Sequence, residues 1–339
     1  MGCASGKNIQ TNEENIRSQV NEKQNEGKNT EGNANENENE IENEIENENK
    51  EQVLYLKYET MSENEKIRLF GNDVDEFDDY TTPFFEREYD KFELYEDDNK
   101  ICNFMYTFKK SGIHTIKMVL KEKITNFSYM FYDCNNLKGI TGYIDTSNVR
   151  SLFWMFNNCS SLVDISSLKD WDIKNVKSFD YMFNECTSLS DISPLENWDM
   201  DGDKSVISMF SGCSSLKDIK PLEKWNMSNY TTLNYLFSKC TSLSNISYLK
   251  EWNVSNTKNF IYMFSECSSL KDISPLKDWD VRNGEYFRCM FYKCTSLTDA
   301  IALKSWNVNK GKDFSKMFQK CNSLKNVDEL KMKFGENII

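Results

Sequence analysis

Apolar residues recur along this chain in one pattern, and cysteine marks its beat. Cysteines stand at positions 134, 159, 186, 213, 240, 267, 294 and 321, separated by one interval of 25 residues and six of 27. The same short motif surrounds each: MFYDCNNL, MFNNCSSL, MFNECTSL, MFSGCSSL, LFSKCTSL, MFSECSSL, MFYKCTSL and MFQKCNSL. A fixed period of this size predicts stacked repeats, each burying its apolar face against its neighbours. Counting back from the Cys, apolar residues lie seven, four and three positions earlier, as in Phe179, Met182, Phe183 and Cys186. That spacing predicts a short helix with one buried face, N-capped by Asn175, Asn229, Asn256 or Asn283. After the Cys, Leu follows at three and commonly Ile at six (Leu189, Ile192), which predicts a short extended segment that stops before Pro194, Pro221 or Pro275. Twelve residues after six of the cysteines stands a Trp (Trp171 to Trp306), always followed by Asp or Asn. In stacked coils about 4.8 Å apart these rings would form a ladder, with the Asx residue bonding backbone at a corner.

Upstream the period changes. In residues 51–123 the runs VLYLKY, KIRLF, FFEREYDKFELYE and IHTIKMVL are β-branched and aromatic, with Asn, Asp and Gly clusters between them. They predict strands of a small antiparallel β unit that stands alone or caps the repeats. Residues 1–50 are mostly Asn, Glu, Gln and Lys; their few apolar members cannot offset ordering entropy, which predicts a disordered acidic tether. The expected fold class is therefore an α/β repeat solenoid of eight coils over residues 124–334, preceded by the β unit and the tether and followed by a tail at 335–339.

Charge narrows the chemistry. The first hundred residues hold 11 basic and 28 acidic side chains and the remainder 30 and 26, so the chain carries no basic stripe for a nucleic-acid partner. Its one histidine, His114, sits on a predicted strand, and no convergent polar site is visible, so the chain reads as non-enzymatic and free of cofactors and metals. The repeated cysteines lie on the buried stripe without paired CxxC spacing; they read as small core residues, and Cys102 and Cys289 read the same way.

The motif MFxxCxSLxxI, and above all IDTSNVRSLFWMFNNCSSL in the first copies, resembles the BspA-type leucine-rich repeat of bacterial surface lipoproteins and large protist families. The resemblance covers roughly residues 124–334 and implies a leucine-rich-repeat-like solenoid used in adhesion or protein interaction, with no catalytic motif. The chain departs from it in its 27-residue coils and Trp-Asx step.

The N-terminus suggests where such a surface works. Met1-Gly2-Cys3-Ala4-Ser5-Gly6 matches an N-myristoylation signal at Gly2, although Gly6 replaces the favoured Ser or Thr. One myristoyl chain binds a bilayer with K of only about 10⁴ M⁻¹, and no basic patch is present to help. Palmitate on Cys3 is the remaining second anchor. No apolar core follows Met1, so the sequence reads without a secretory leader. The function expected is a protein-interaction scaffold, lipid-anchored at the cytosolic face of a plasma membrane or endomembrane. The alternative is a surface adhesin exported by an unconventional path. For the unknown protein partner the expected contact residues are a row five after the Cys, namely Asp164, Asp191, Asp218, Asn245, Asp272 and Asp299, with Lys217, Lys220 and Lys271 beside it.

Overall fold

The computed structural model describes residues 52–71 and 91–339, and Gln52–Ile339 forms one unit. The lipidation residues Gly2 and Cys3 and the tether at 1–50 lie outside the described residues. At the start is an antiparallel sheet whose strands alternate buried and exposed side chains. Strand β1 (Val53–Thr60) buries Leu54, Leu56 and Tyr58 and leaves Tyr55 exposed. It runs between β6 (Gly112–Leu120) and β7 (Leu137–Tyr143), and β3 (Phe92–Glu96) with β4 (Asn99–Ile101) completes the order β4-β3-β6-β1-β7. A second pair joins β2 (Glu65–Arg68) to β5 (Met105–Phe108).

Strand β7 belongs to the first repeat, so the sheet caps the stack instead of standing apart. The Glu59 amide donates to Asn136 and the Gly71 amide to Met130, at 2.9 Å each. On its other edge β7 hands on to the next repeat, where the Ile140 amide donates to the Asp164 carbonyl at 2.9 Å.

Beyond β7 the chain is a repeat fold marked by short 3₁₀ turns 27 residues apart: Ser166–Asp170, Ser193–Leu195, Lys220–Leu222, Ser247–Leu249, Ser274–Leu276 and Ile301–Ser305. Proline enters three of them at the second turn position, where its missing amide leaves no ladder bond unmade. The expected helix before each Cys is absent. In its place are two successive four-residue turns: the Met182 amide donates to Phe179 and the Cys186 amide to Phe183, each at 3.1 Å. Tyr181 and Glu185, third in their turns, have φ of 58° and 57°, as a type II turn requires. Turns of four residues place positions one and four inward, which reproduces the 3,4 spacing of a helix face. With the remaining amides free, Phe179, Tyr181, Phe183 and Glu185 donate to Ser205, Ile207, Met209 and Ser211 of the next repeat at 2.7 to 2.9 Å. Three of the four asparagines expected as helix caps serve between repeats instead, Asn175 donating to Ser147, Asn256 to Ser228 and Asn283 to Ser255 at 2.7 Å each.

The last repeat is closed by helix α1 (Val327–Phe334), which buries Leu330 and Phe334. Residues 335–339 then imitate a further repeat: Lys316 and Phe318 donate to Asn337 and Ile338 at 2.7 and 2.8 Å, and Ile338 is fully buried.

Candidate interaction surface

Three side-chain ladders fix the interior and so decide which positions remain outside. The face-to-face ring ladder is made by phenylalanine: Phe131, Phe156, Phe183, Phe210, Phe237, Phe264, Phe291 and Phe318 follow one another at centroid distances of 5.4 to 6.0 Å, nearly parallel. The tryptophans, expected to stack on each other, are buried but lie tilted against Phe rings such as Phe179 and Phe260. Their repeat-to-repeat link is polar. Each indole Nε1 donates to the Leu carbonyl thirty residues back, from Trp198 to Leu168 at 2.9 Å through Trp306 to Leu276 at 2.8 Å. Trp171 comes first in this series, and its buried Nε1 has no acceptor.

Cysteine forms the third ladder. From Cys159 to Cys321 each Sγ lies 2.9 to 3.2 Å from the Phe carbonyl of the preceding repeat, donating its weak S–H hydrogen bond. Burial pushes these thiols well above their usual range, to about 12 for Cys321. A small, fairly apolar donor suits this place, because it adds a second hydrogen bond to a carbonyl that already accepts the Cys amide of its own repeat. Of the other three described cysteines, Cys134 and Cys289 are buried as expected, whereas Cys102 is exposed beside β4. His114 stacks on Phe108 at 3.9 Å and meets the Thr60 hydroxyl at 2.9 Å, within the sheet.

The row predicted as a partner surface lies outside, with Asp164 half-buried and Asp191, Asp218, Asn245, Asp272 and Asp299 exposed. Each turns one side-chain oxygen onto the amide two residues ahead, at 2.7 to 3.0 Å, and so opens the 3₁₀ turn. Asn245 makes the same bond as the five aspartates, so the fold asks this position for an acceptor and not for charge. The Asx after each Trp does the same at its own corner, as at Asp172 and Asn226. Lys217, Lys220 and Lys271 are exposed beside the row, and Lys57 of β1 reaches Asp164 at 3.6 Å.

A second outer face was not foreseen. The left-handed residues of the two turns make rows five and one before each Cys, half-buried or exposed except at the buried Ser208, Gly212 and Cys289. Aromatic residues fill five of the eight places in the first row, namely Tyr129, Trp154, Tyr181, Tyr235 and Tyr262; that recurrence was the available signal. Gly212 stands in the second row, where a Cβ would come within 2.6 Å of the Glu185 carboxyl carbon. Its absence lets Glu185 lie across the fourth repeat and pair with Lys239 at 2.9 Å, two repeats along.

Comparison with known families fits this arrangement of repeats. A family model described as Mycoplasma protein of unknown function, DUF285, matches residues 100–219 and again 204–330. The chain belongs to that family. Searches of the curated proteins and of the solved structures gave no match. The two DUF285 matches run from β4 into α1, so the family region takes in β5, β6 and β7 with the repeats and leaves β1, β2 and β3 outside it. Among the described residues of this DUF285 chain, no helix is long and apolar enough to cross a membrane.

Proposed function

We propose that the chain is a non-enzymatic protein-interaction scaffold: a leucine-rich-repeat-like solenoid held at the cytosolic face of a membrane by myristate on Gly2 and palmitate on Cys3. One observation carries the interaction reading. Phe, Met, Cys, Leu and Trp recur at the interior positions of nearly every repeat, whereas exposed neighbours differ from copy to copy, as Val163, Ser190, Lys217, Ser244, Lys271 and Thr298 do at one position. Positions released from packing are free to encode a partner. The anchoring reading rests on the Met1-Gly2-Cys3 signal together with the two-chain requirement for stable attachment. Gly2→Ala is expected to move the protein from the membrane to the soluble fraction, and Cys3→Ser to leave weak, reversible association; a Gly2→Ala protein that stays on membranes defeats the anchor. Membership of a family described from Mycoplasma, with the resemblance to BspA-type repeats, favours a second reading as an exported adhesin. Protease added to intact cells separates the two, because a cytosolic scaffold is spared and an adhesin is cut.

A further inference from the structure

The turn face changes character along the stack. In its first three repeats Tyr129, Tyr132, Phe153, Trp154 and Tyr181 form one half-exposed cluster, with centroids 5.3 to 6.3 Å apart. In its last two repeats the corresponding rows hold Lys293, Lys316 and Lys320, with the exposed Arg288 next to the buried row residue Cys289. Lys293 pairs with Glu266 at 3.0 Å, but Arg288, Lys316 and Lys320 are exposed and form no ion pair among the described residues. Midway the same rows carry the small, buried Ser208 and Gly212 and then Tyr235 and Tyr262, stacked at 4.8 Å.

A cation above an aromatic ring is attracted by the ring's negative face. This surface already uses the pairing: Lys293 and Lys320 lie 5.3 and 5.7 Å from the centre of the Tyr292 ring, and Lys312 lies 5.6 Å from that of Tyr286. Asp180 adds negative charge at the aromatic end, whereas Asp133 is paired with Arg68 at 4.0 Å. Each end of the face therefore offers what the other end binds, yet the two belong to opposite ends of a series bonded only neighbour to neighbour. A second copy turned end for end brings them together twice.

We propose that the turn face is a homodimer interface in which two chains pack antiparallel, so that Arg288, Lys316 and Lys320 of each lie on the Tyr129, Trp154 and Tyr181 cluster of the other. The inference rests on the interaction reading above and is independent of the lipid anchor.

The test is sedimentation of the purified full-length, unacylated chain over a concentration series at low and high salt. The expected result is a dimer that weakens with salt. The triple variant R288E/K316E/K320E is expected to raise the dissociation constant at least about tenfold. The double variant Trp154→Ser/Tyr181→Ser should do the same while keeping the fold, since Ser208 already occupies the equivalent left-handed position with φ of 56°. An equimolar mixture of the two variants retains one of the two contacts, so mixed dimers are expected to form more tightly than either variant alone. A chain that stays monomeric throughout, a dimer indifferent to both variants, or a mixture no tighter than its components overturns the proposal. A monomer that nevertheless captures a different protein overturns the dimer and leaves the scaffold reading standing.

Discussion

The sheet of β1 to β7 and the repeats that follow it satisfy the same backbone in two ways. In the sheet each strand bonds to a different sequence, and alternation alone decides the face: Leu54, Leu56 and Tyr58 inward, Tyr55 outward. In the repeats almost no regular secondary structure forms, yet the turn amides bond the equivalent stretch one repeat along, and Phe, Cys and Trp each bond or stack on the neighbouring copy. The lesson is one of symmetry. A ladder whose partner is its own translated copy forces the residue to recur, whereas a paired strand is free to vary. The ladders also hold Trp154, Tyr181, Tyr235 and Tyr262 at positive φ, which bulky residues adopt only at a cost of about 1 to 3 kcal/mol each, offset by inter-repeat bonds.

The largest expected effect breaks a ladder in its middle. Trp225→Ala removes a buried ring and one of the two donors to the Leu195 carbonyl, so we expect a loss of about 3 to 5 kcal/mol in urea unfolding, with neighbouring repeats losing protection in hydrogen exchange. Leu56→Ala in β1 should lose a similar amount without that spread beyond its own sheet. Alkaline pH separates the regions next. The buried repeat thiols are raised above their unfolded value of about 8.5, so the folded state binds more protons than the unfolded state above that pH. Stability is therefore full below about pH 8.5 and falls as pH rises toward the folded values, by about 1.4 kcal/mol per pH unit for each thiol still protonated. A melting temperature flat from pH 8 to 10.5 would show that the cysteines are not buried donors.

Smaller substitutions sharpen the contrast within the ladder itself. Trp225→Phe should cost about 1 to 2 kcal/mol more than Trp171→Phe, because only Trp225 donates to a carbonyl; equal costs in thermal melts would deny the indole bond its role. Asp218→Ala removes a single turn-opening bond at the surface and should lower the melting temperature by no more than about 2 °C.

How much of this was legible in the sequence follows from the same symmetry. The repeat, its register and its buried residues were readable because the ladders force recurrence. The strands β1, β2, β3 and β6 were readable from β-branched and aromatic runs, whereas β4 and β5 span only three and four residues, and β7 lies within the first repeat and depends on distant β1. The turns were mistaken for helix because four-residue turns and α-helices share the 3,4 spacing. Their left-handed corners carry Tyr, Trp, Glu and Lys where a turn would usually advertise Gly or Asn. The acidic row lies outside the core, but its commitment to turn amides became visible only from the side-chain oxygens.

The central claim is that recurring residues build the stack while varying outer residues bind. It is tested most directly by comparing the surface triple Lys217→Ala/Asp218→Ala/Lys220→Ala with Cys213→Ala, measuring partner capture and melting on each full-length protein. Lost capture with near-normal melting is expected for the triple, and retained capture with about 1 to 2 kcal/mol less stability for the cysteine variant, whose Phe183 carbonyl loses one of its two donors. Loss of capture in a fully stable Cys213→Ala protein, with the triple unaffected, would contradict it and place the function on the thiols.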